Sequence, residues 1–181
     1  MDDQSDPRTE PPLSGSEAET LCGFLDYHRA TLQLKVAGLT AAQLDQTLPP
    51  SSMTLGGLVK HLAYVEDWWF GQVFAGRPEP EPWASADWSA DPDWDWHSAS
   101  ADSPEELSAL LTETIRASEA VVAEALARPA GLDAGSALES RRLPGEHYSL
   151  RWILVHLVEE YCRHNGHADL LRESIDGSVG E

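Results

Sequence analysis

In the stretch VEEYCRHNGHADLLRE, which runs from Val158 to Glu173, Glu160 and His164 stand four residues apart and His167 follows three residues later. On a helix, residues at i and i+4 share a face with Cβ atoms about 5–6 Å apart, so a carboxylate and an imidazole at this spacing can hold one ion between them. Taken alone the pair is a weak signal, because Glu/His neighbours of this kind are mostly surface contacts. A third donor is offered by TLGGLVKHLAYVEDWW, where His61 falls three residues after Leu58 and four before Val65, on or beside an apolar stripe. Three polar groups turned into one core would each lose hydration without compensation, and a shared divalent cation is the partner that two imidazoles and a carboxylate suit. His61, Glu160 and His164 are therefore the candidate metal ligands, an open set of three. His167, next on the same seam, is the candidate for a group that orients the site from behind.

The other histidines carry less. His28 lies near an apolar stripe, as a core histidine or a donor behind the site, while His97 and His147 fall in expected loops. His156 is off the seam beside Glu159 and Arg163, and all three of these are expected to be solvated. Cys22 and Cys162 lack CxxC spacing and are too few for a disulfide framework. They read as small buried apolar residues, and an internal cysteine nucleophile is disfavoured because Cys162 lies off the seam of Glu160 and His164.

Helices must position these groups. Apolar residues recur from Ser16 through Leu21, Leu25, Leu32 and Val36 to a stop near Gly38, which defines helix A. Thr54 caps helix B, whose stripe is Leu58, Leu62, Val65, Trp69 and Val73 and whose end is marked by Gly76 and Pro78. Ser103-Pro104-Glu105-Glu106 is a capping box with proline at the first helical position, opening helix C. Ser149 caps helix D, expected to run from Leu150 to near Glu173. Counted in steps of three and four, its seam reads Leu150, Ile153, Leu157, Glu160, His164, His167 and Leu171, apolar at first and polar afterwards.

With no run of convincing strand alternation, the expected fold is all-α, a four-helix bundle. The link between B and C, about twenty-six residues, is long enough to run the length of a bundle, so B and C could lie parallel. This crossover holds Trp83, Trp88, Trp94 and Trp96, and between Pro78 and Ile115 there are ten acidic residues and no Lys or Arg. Its indoles are expected to staple it to the bundle; they could also roof the metal cleft or form a homodimer contact. Residues 1–13, poor in apolar side chains, read as a disordered tail, residues 14–176 as the bundle domain and residues 177–181 as a flexible C-terminus.

Thirty-one acidic against twelve basic residues give a formal net charge of -19, a field that repels phosphate backbones and anionic lipid surfaces. Nucleic acid and membrane are thus not expected partners. The N-terminus has neither the basic start nor the apolar stretch of a signal peptide, and a cytoplasmic protein is expected.

The segments GFLDYHRATLQLKVAGLTAAQL, TLGGLVKHLAYVEDWWF and SLRWILVHLVEEYCRHNGHADLLRE together resemble the DinB superfamily, and within it the actinobacterial branch related to mycothiol-dependent maleylpyruvate isomerase. The resemblance spans about Ser14 to Ile175. It implies an up-down-down-up four-helix bundle holding a divalent metal, often zinc or nickel, between helices B and D. It maps the family's helix B histidine onto His61 and the histidine of its H-x-G motif onto His164. Many members place a histidine four residues before the latter; the isomerase branch has glutamate, as here with Glu160.

Zinc with three protein ligands keeps a fourth position for water or substrate, and a thiol bound there ionises near neutral pH. The resemblance supplies mycothiol as that thiol, and with it the expectation of a transferase or isomerase acting on a small electrophilic molecule. The acidic crossover would repel an anionic substrate if it lay over the cleft. A ferritin-like di-iron oxidase is disfavoured, since it needs Glu-x-x-His on two helices and helix D spaces the pair as Glu-x-x-x-His. The alternative is a non-catalytic metal-binding bundle, a sensor or small-molecule binding module, with His167 or His28 closing the fourth position.

Overall fold

A computed structural model describes residues 8–179. The chain is mostly helical, with six α-helices and one small two-stranded sheet among the described residues. Four helices are long: α1 (Glu17–Val36), α3 (Leu55–Glu66), α5 (Pro104–Leu126) and α6 (Leu150–Asp176); α2 (Ala41–Leu44) and α4 (Trp94–His97) are single turns in the connections. Each long helix starts at the residue whose side chain can replace the missing backbone acceptor. Ser16, Thr54, Ser103 and Ser149 accept the N–H groups of Glu19, Gly57, Glu106 and Trp152, and Glu19 and Glu106 close reciprocal capping boxes. At the far end, α6 runs three residues beyond its expected stop, to Gly177, whose φ of 78° is the left-handed cap that glycine adopts without a Cβ penalty.

The core is a single apolar cluster. Leu25 and Leu32 of α1, Leu55, Leu58 and Leu62 of α3, Leu107 and Leu111 of α5, and Leu150, Ile153, Leu154 and Leu157 of α6 are all essentially sealed from solvent. α1 lies along α6, while α3 packs against both α5 and α6. Between α1, α3 and α6 sits a buried ionic network. Glu66 takes two hydrogen bonds of 2.7 Å from Arg29 Nε and Nη2 and a third of 2.9 Å from the Tyr161 hydroxyl. Burial and the neighbouring Glu66 carboxylate push the Tyr161 phenol well up from its ordinary range, so it stays a donor.

After Glu66 the helix widens into a π-helical stretch, Asp67–Phe74, with Ala75 N–H reaching back to the Phe70 carbonyl at 3.1 Å. Wider turns change which residues face inward: Glu66, Phe70 and Phe74 are buried, in steps of four. Of the expected stripe, Leu58, Leu62, Val65 and Val73 are buried as well, and Trp69 alone turns to the edge of the core.

The all-α expectation needs correction. β1 (Gly135–Glu139) and β2 (His147–Ser149) pair antiparallel, Gly135 opposite Ser149 and Glu139 opposite His147. Strands of five and three residues are too short to display alternation, and side chains lock this pair instead. Ser136 Oγ accepts the Tyr148 N–H at 3.0 Å, and His147 Nδ1 lies 2.7 Å from the Ser136 carbonyl. His147 thus lies on a strand rather than in a loop. Of the expected tail, residues 1–7 lie outside the described residues; beyond them Arg8 donates to Thr31 Oγ1 at 3.0 Å and stacks over Tyr27.

The crossover is stapled down by its indoles. Trp83 is fully buried, Tyr64 of α3 lies 5.2 Å from the Trp83 ring and 4.8 Å from Trp88, and Lys60 sits 4.6 Å over Trp94 while pairing with Asp102. Gly57 makes room at the first turn of α3: a Cβ there would stand 3.1 Å from Trp96.

Candidate metal centre

α3 and α6 bring the three expected residues together. One donor atom from each of His61, Glu160 and His164 lies within 4.8 Å of the others, and the His61 and His164 rings are 5.0 Å apart, edge to face. Glu160 Oε2 stands 3.5 Å from His164 Nε2, close but beyond hydrogen-bonding distance. His164 is buried, and its Nδ1 has no hydrogen-bond partner. Burial, with His61, His167 and Arg163 nearby, lowers its pKa to about 4, so the ring is neutral at ordinary pH with its lone pair available. A buried imidazole without partners is costly, and donor atoms converging within reach of one ion are the arrangement that removes that cost. The residues present therefore fit a divalent metal.

His61 is held from behind by a residue that sequence reasoning missed. Asp95 Oδ2 lies 2.6 Å from His61 Nδ1, and Asp95 is itself buried in α4. A proton on Nδ1 directed at this carboxylate leaves Nε2 as the free donor, the tautomer a metal ligand needs. Trp96, next in the chain, stacks on the His61 ring at 4.4 Å and also touches His164, with centroids 5.6 Å apart. The crossover therefore covers the cluster as well as the bundle. In sequence, Asp95 is one of seven acids between Pro78 and Ser103, a stretch without periodicity, and nothing marked it out.

His167 stands beside His164, ring centroids 5.5 Å apart, with a buried Nδ1 lacking a partner, but it is not one of the converging trio. His28 is not one of the trio either: its Nε2 meets Cys162 Sγ at 3.0 Å. Cys162 is exposed and Cys22 half-buried, against the expectation that both are core residues. His97 is exposed and pairs with Asp91.

His156 was expected in solvent and is not there. It stacks on Trp152 at 5.0 Å, meets the Trp69 edge at 4.8 Å and brings Nε2 within 3.6 Å of Glu160 Oε1. Glu160 is thus flanked by His164 on one side and His156 on the other. It lines a groove of about 1170 Å³ between the π-helical stretch, the β1–β2 hairpin and α6.

The chain falls in the DinB-like group of proteins and the mycothiol enzymes related to it. The family model for mycothiol-S-transferase matches residues 20–177, and the chain belongs to that family. Among solved structures, the crystal structure of a conserved protein from Enterococcus faecalis is similar in fold, with 20% identity and a TM-score of 0.58 over 91% of this chain and 100% of that one. No curated protein matches the sequence significantly. Among the described residues no helix is long and apolar enough to cross a membrane.

Proposed function

We propose that His61, Glu160 and His164 hold one divalent ion, zinc or nickel, and that this cytoplasmic protein transfers a thiol, mycothiol, to a small electrophile. Residues 14–176 are read as one domain, a four-helix bundle of up-down-down-up order in which α1, α3, α5 and α6 are the helices. The observation that carries the reading is the convergence of three donors from two helices with Asp95 oriented behind His61.

Bound there, the ion supplies a Lewis acid on which a thiol ionises. Asp95 keeps the His61 proton on Nδ1, burial keeps His164 neutral, and Glu160 offsets part of the cation's charge while opening toward the groove. Trp96 covers the histidines and limits water. His28 is engaged with Cys162 and His167 stands outside the trio, which favours an open position over a closed structural site. In displacement, a carbon–sulfur bond forms and the leaving group departs with its electron pair, the thiol proton going to solvent. In addition, sulfur and proton end on the two carbons of an alkene, and reversal after bond rotation gives isomerisation.

Metal-loaded protein should speed the reaction of mycothiol with 1-chloro-2,4-dinitrobenzene by about tenfold or more over metal-stripped protein, followed as chloride released and thioether absorbance gained. Equal rates with and without metal would contradict the proposal.

A further inference from the structure

The groove lined by Glu160 carries a second chemistry. Part of its lining is aromatic: Trp69, Tyr148 and Trp152 stand 4.7–5.2 Å from one another, and Trp152, stacked by His156, remains 46% exposed. The hairpin contributes Arg141 and Arg142 to the lining.

Arg29, Arg128, Arg151, Arg163 and Arg172 each pair with a carboxylate, whereas Arg77 and Arg116 make no ion pair among the described residues. Arg141 and Arg142 make no ion pair among the described residues. Arg141 instead lies 4.7 Å over the Trp68 ring, which also lines the groove.

Four glutamates share the groove without reaching either guanidinium. Glu159 is taken by Arg163 at 3.3 Å, Glu139 accepts the Gly145 N–H at 2.9 Å, Glu160 faces His156 and His164, and Glu146 is exposed. The acidic crossover, expected to repel an anion lying over the cleft, contributes no residue to this lining. Two guanidiniums without a carboxylate in ion-pair distance, one lying over an indole, beside a group of packed aromatic rings, are the two halves of a recognition site for an aromatic acid.

We propose that this groove binds a small aromatic carboxylate, its ring against Trp69 and Trp152 and its anion on Arg141 and Arg142. That such a ligand is the electrophilic partner of the thiol, with its far end directed at Glu160, rests on the metal reading above. The binding itself does not.

Calorimetric titration of the full chain with 2-naphthoate and with neutral 2-naphthamide separates the two. Naphthoate should bind about tenfold more tightly than the amide, and the R141Q/R142Q protein should lose that difference. R116Q, which removes an arginine on another face, should keep it, as should chelator-treated parent protein. No binding of either ligand, equal binding of the two, or a preference for naphthoate that survives R141Q/R142Q would overturn the proposal. So would a preference that disappears on metal removal alone, since the carboxylate would then be on the ion. If the preference holds in a protein that retains no metal under any loading, the groove stands and the metal reading falls.

Discussion

His61→Ala and His164→Ala should each yield a folded protein that fails to retain the stoichiometric divalent metal expected of the parent. The trio supplies every donor of the proposed site, and an ion left with two ligands loses most of its affinity. The fold should survive, because α3 and α6 are joined by an apolar core in which Leu58, Leu62, Leu157 and Tyr161 are fully buried. Asp95→Asn should act by degree. It leaves His61 in place but weakens the hydrogen bond that fixes its tautomer, and such a loss lowers metal affinity by about 10–100-fold. His97→Ala and His147→Ala should leave metal content unchanged, since one ring pairs with Asp91 at the surface and the other with the Ser136 carbonyl. Metal analysis after gel filtration, with circular dichroism for the fold, checks the series. A folded His61→Ala or His164→Ala protein with one equivalent of metal would remove the site assignment.

The largest loss of stability should follow Glu66→Gln. Glu66 is fully buried between three helices and accepts from Arg29 twice and from Tyr161 once. The amide keeps the shape but leaves the buried Arg29 charge with only Asp26, at 2.8 Å on the half-exposed side. Breaking a buried pair from one side costs about 3–5 kcal/mol, most of it the penalty of an uncompensated charge. The triple variant Arg29→Met/Glu66→Leu/Tyr161→Phe removes both charges and the hydroxyl together and should recover most of that loss. Urea denaturation of the metal-free proteins measures both. A Glu66→Gln change that costs less than about 1 kcal/mol would mean the network is solvated rather than buried.

Where local rules decided the outcome, the sequence was readable. Ser16, Thr54, Ser103 and Ser149 cap the helices they were expected to cap, and three-and-four counting along α6 brought Glu160 and His164 to face His61. What escaped was set by contacts between distant segments. Asp95 reaches His61 across 34 residues, from a crossover with no periodicity to say which acid points inward. Arg29 and Glu66 pair across 37 residues, and either alone reads as a surface charge on a helix. His156 lies off the seam that counting follows, yet the widened turns after Glu66 bring Trp69 out to meet it. The hairpin was invisible because its strands are too short to alternate, and the arginine rim of the groove was hidden with it.

Cobalt loaded into the proposed site tests for its open position directly. A thiol that ligates cobalt brings sulfur-to-metal charge-transfer absorption in the near ultraviolet, which imidazole and carboxylate ligands do not give. Titrating cobalt-loaded protein with mycothiol should raise this band to saturation at one thiol per metal, and replacing Cys22 and Cys162 by serine should leave it intact. A cobalt spectrum that ignores every added thiol would contradict the transferase reading and leave a closed, non-catalytic metal site in its place.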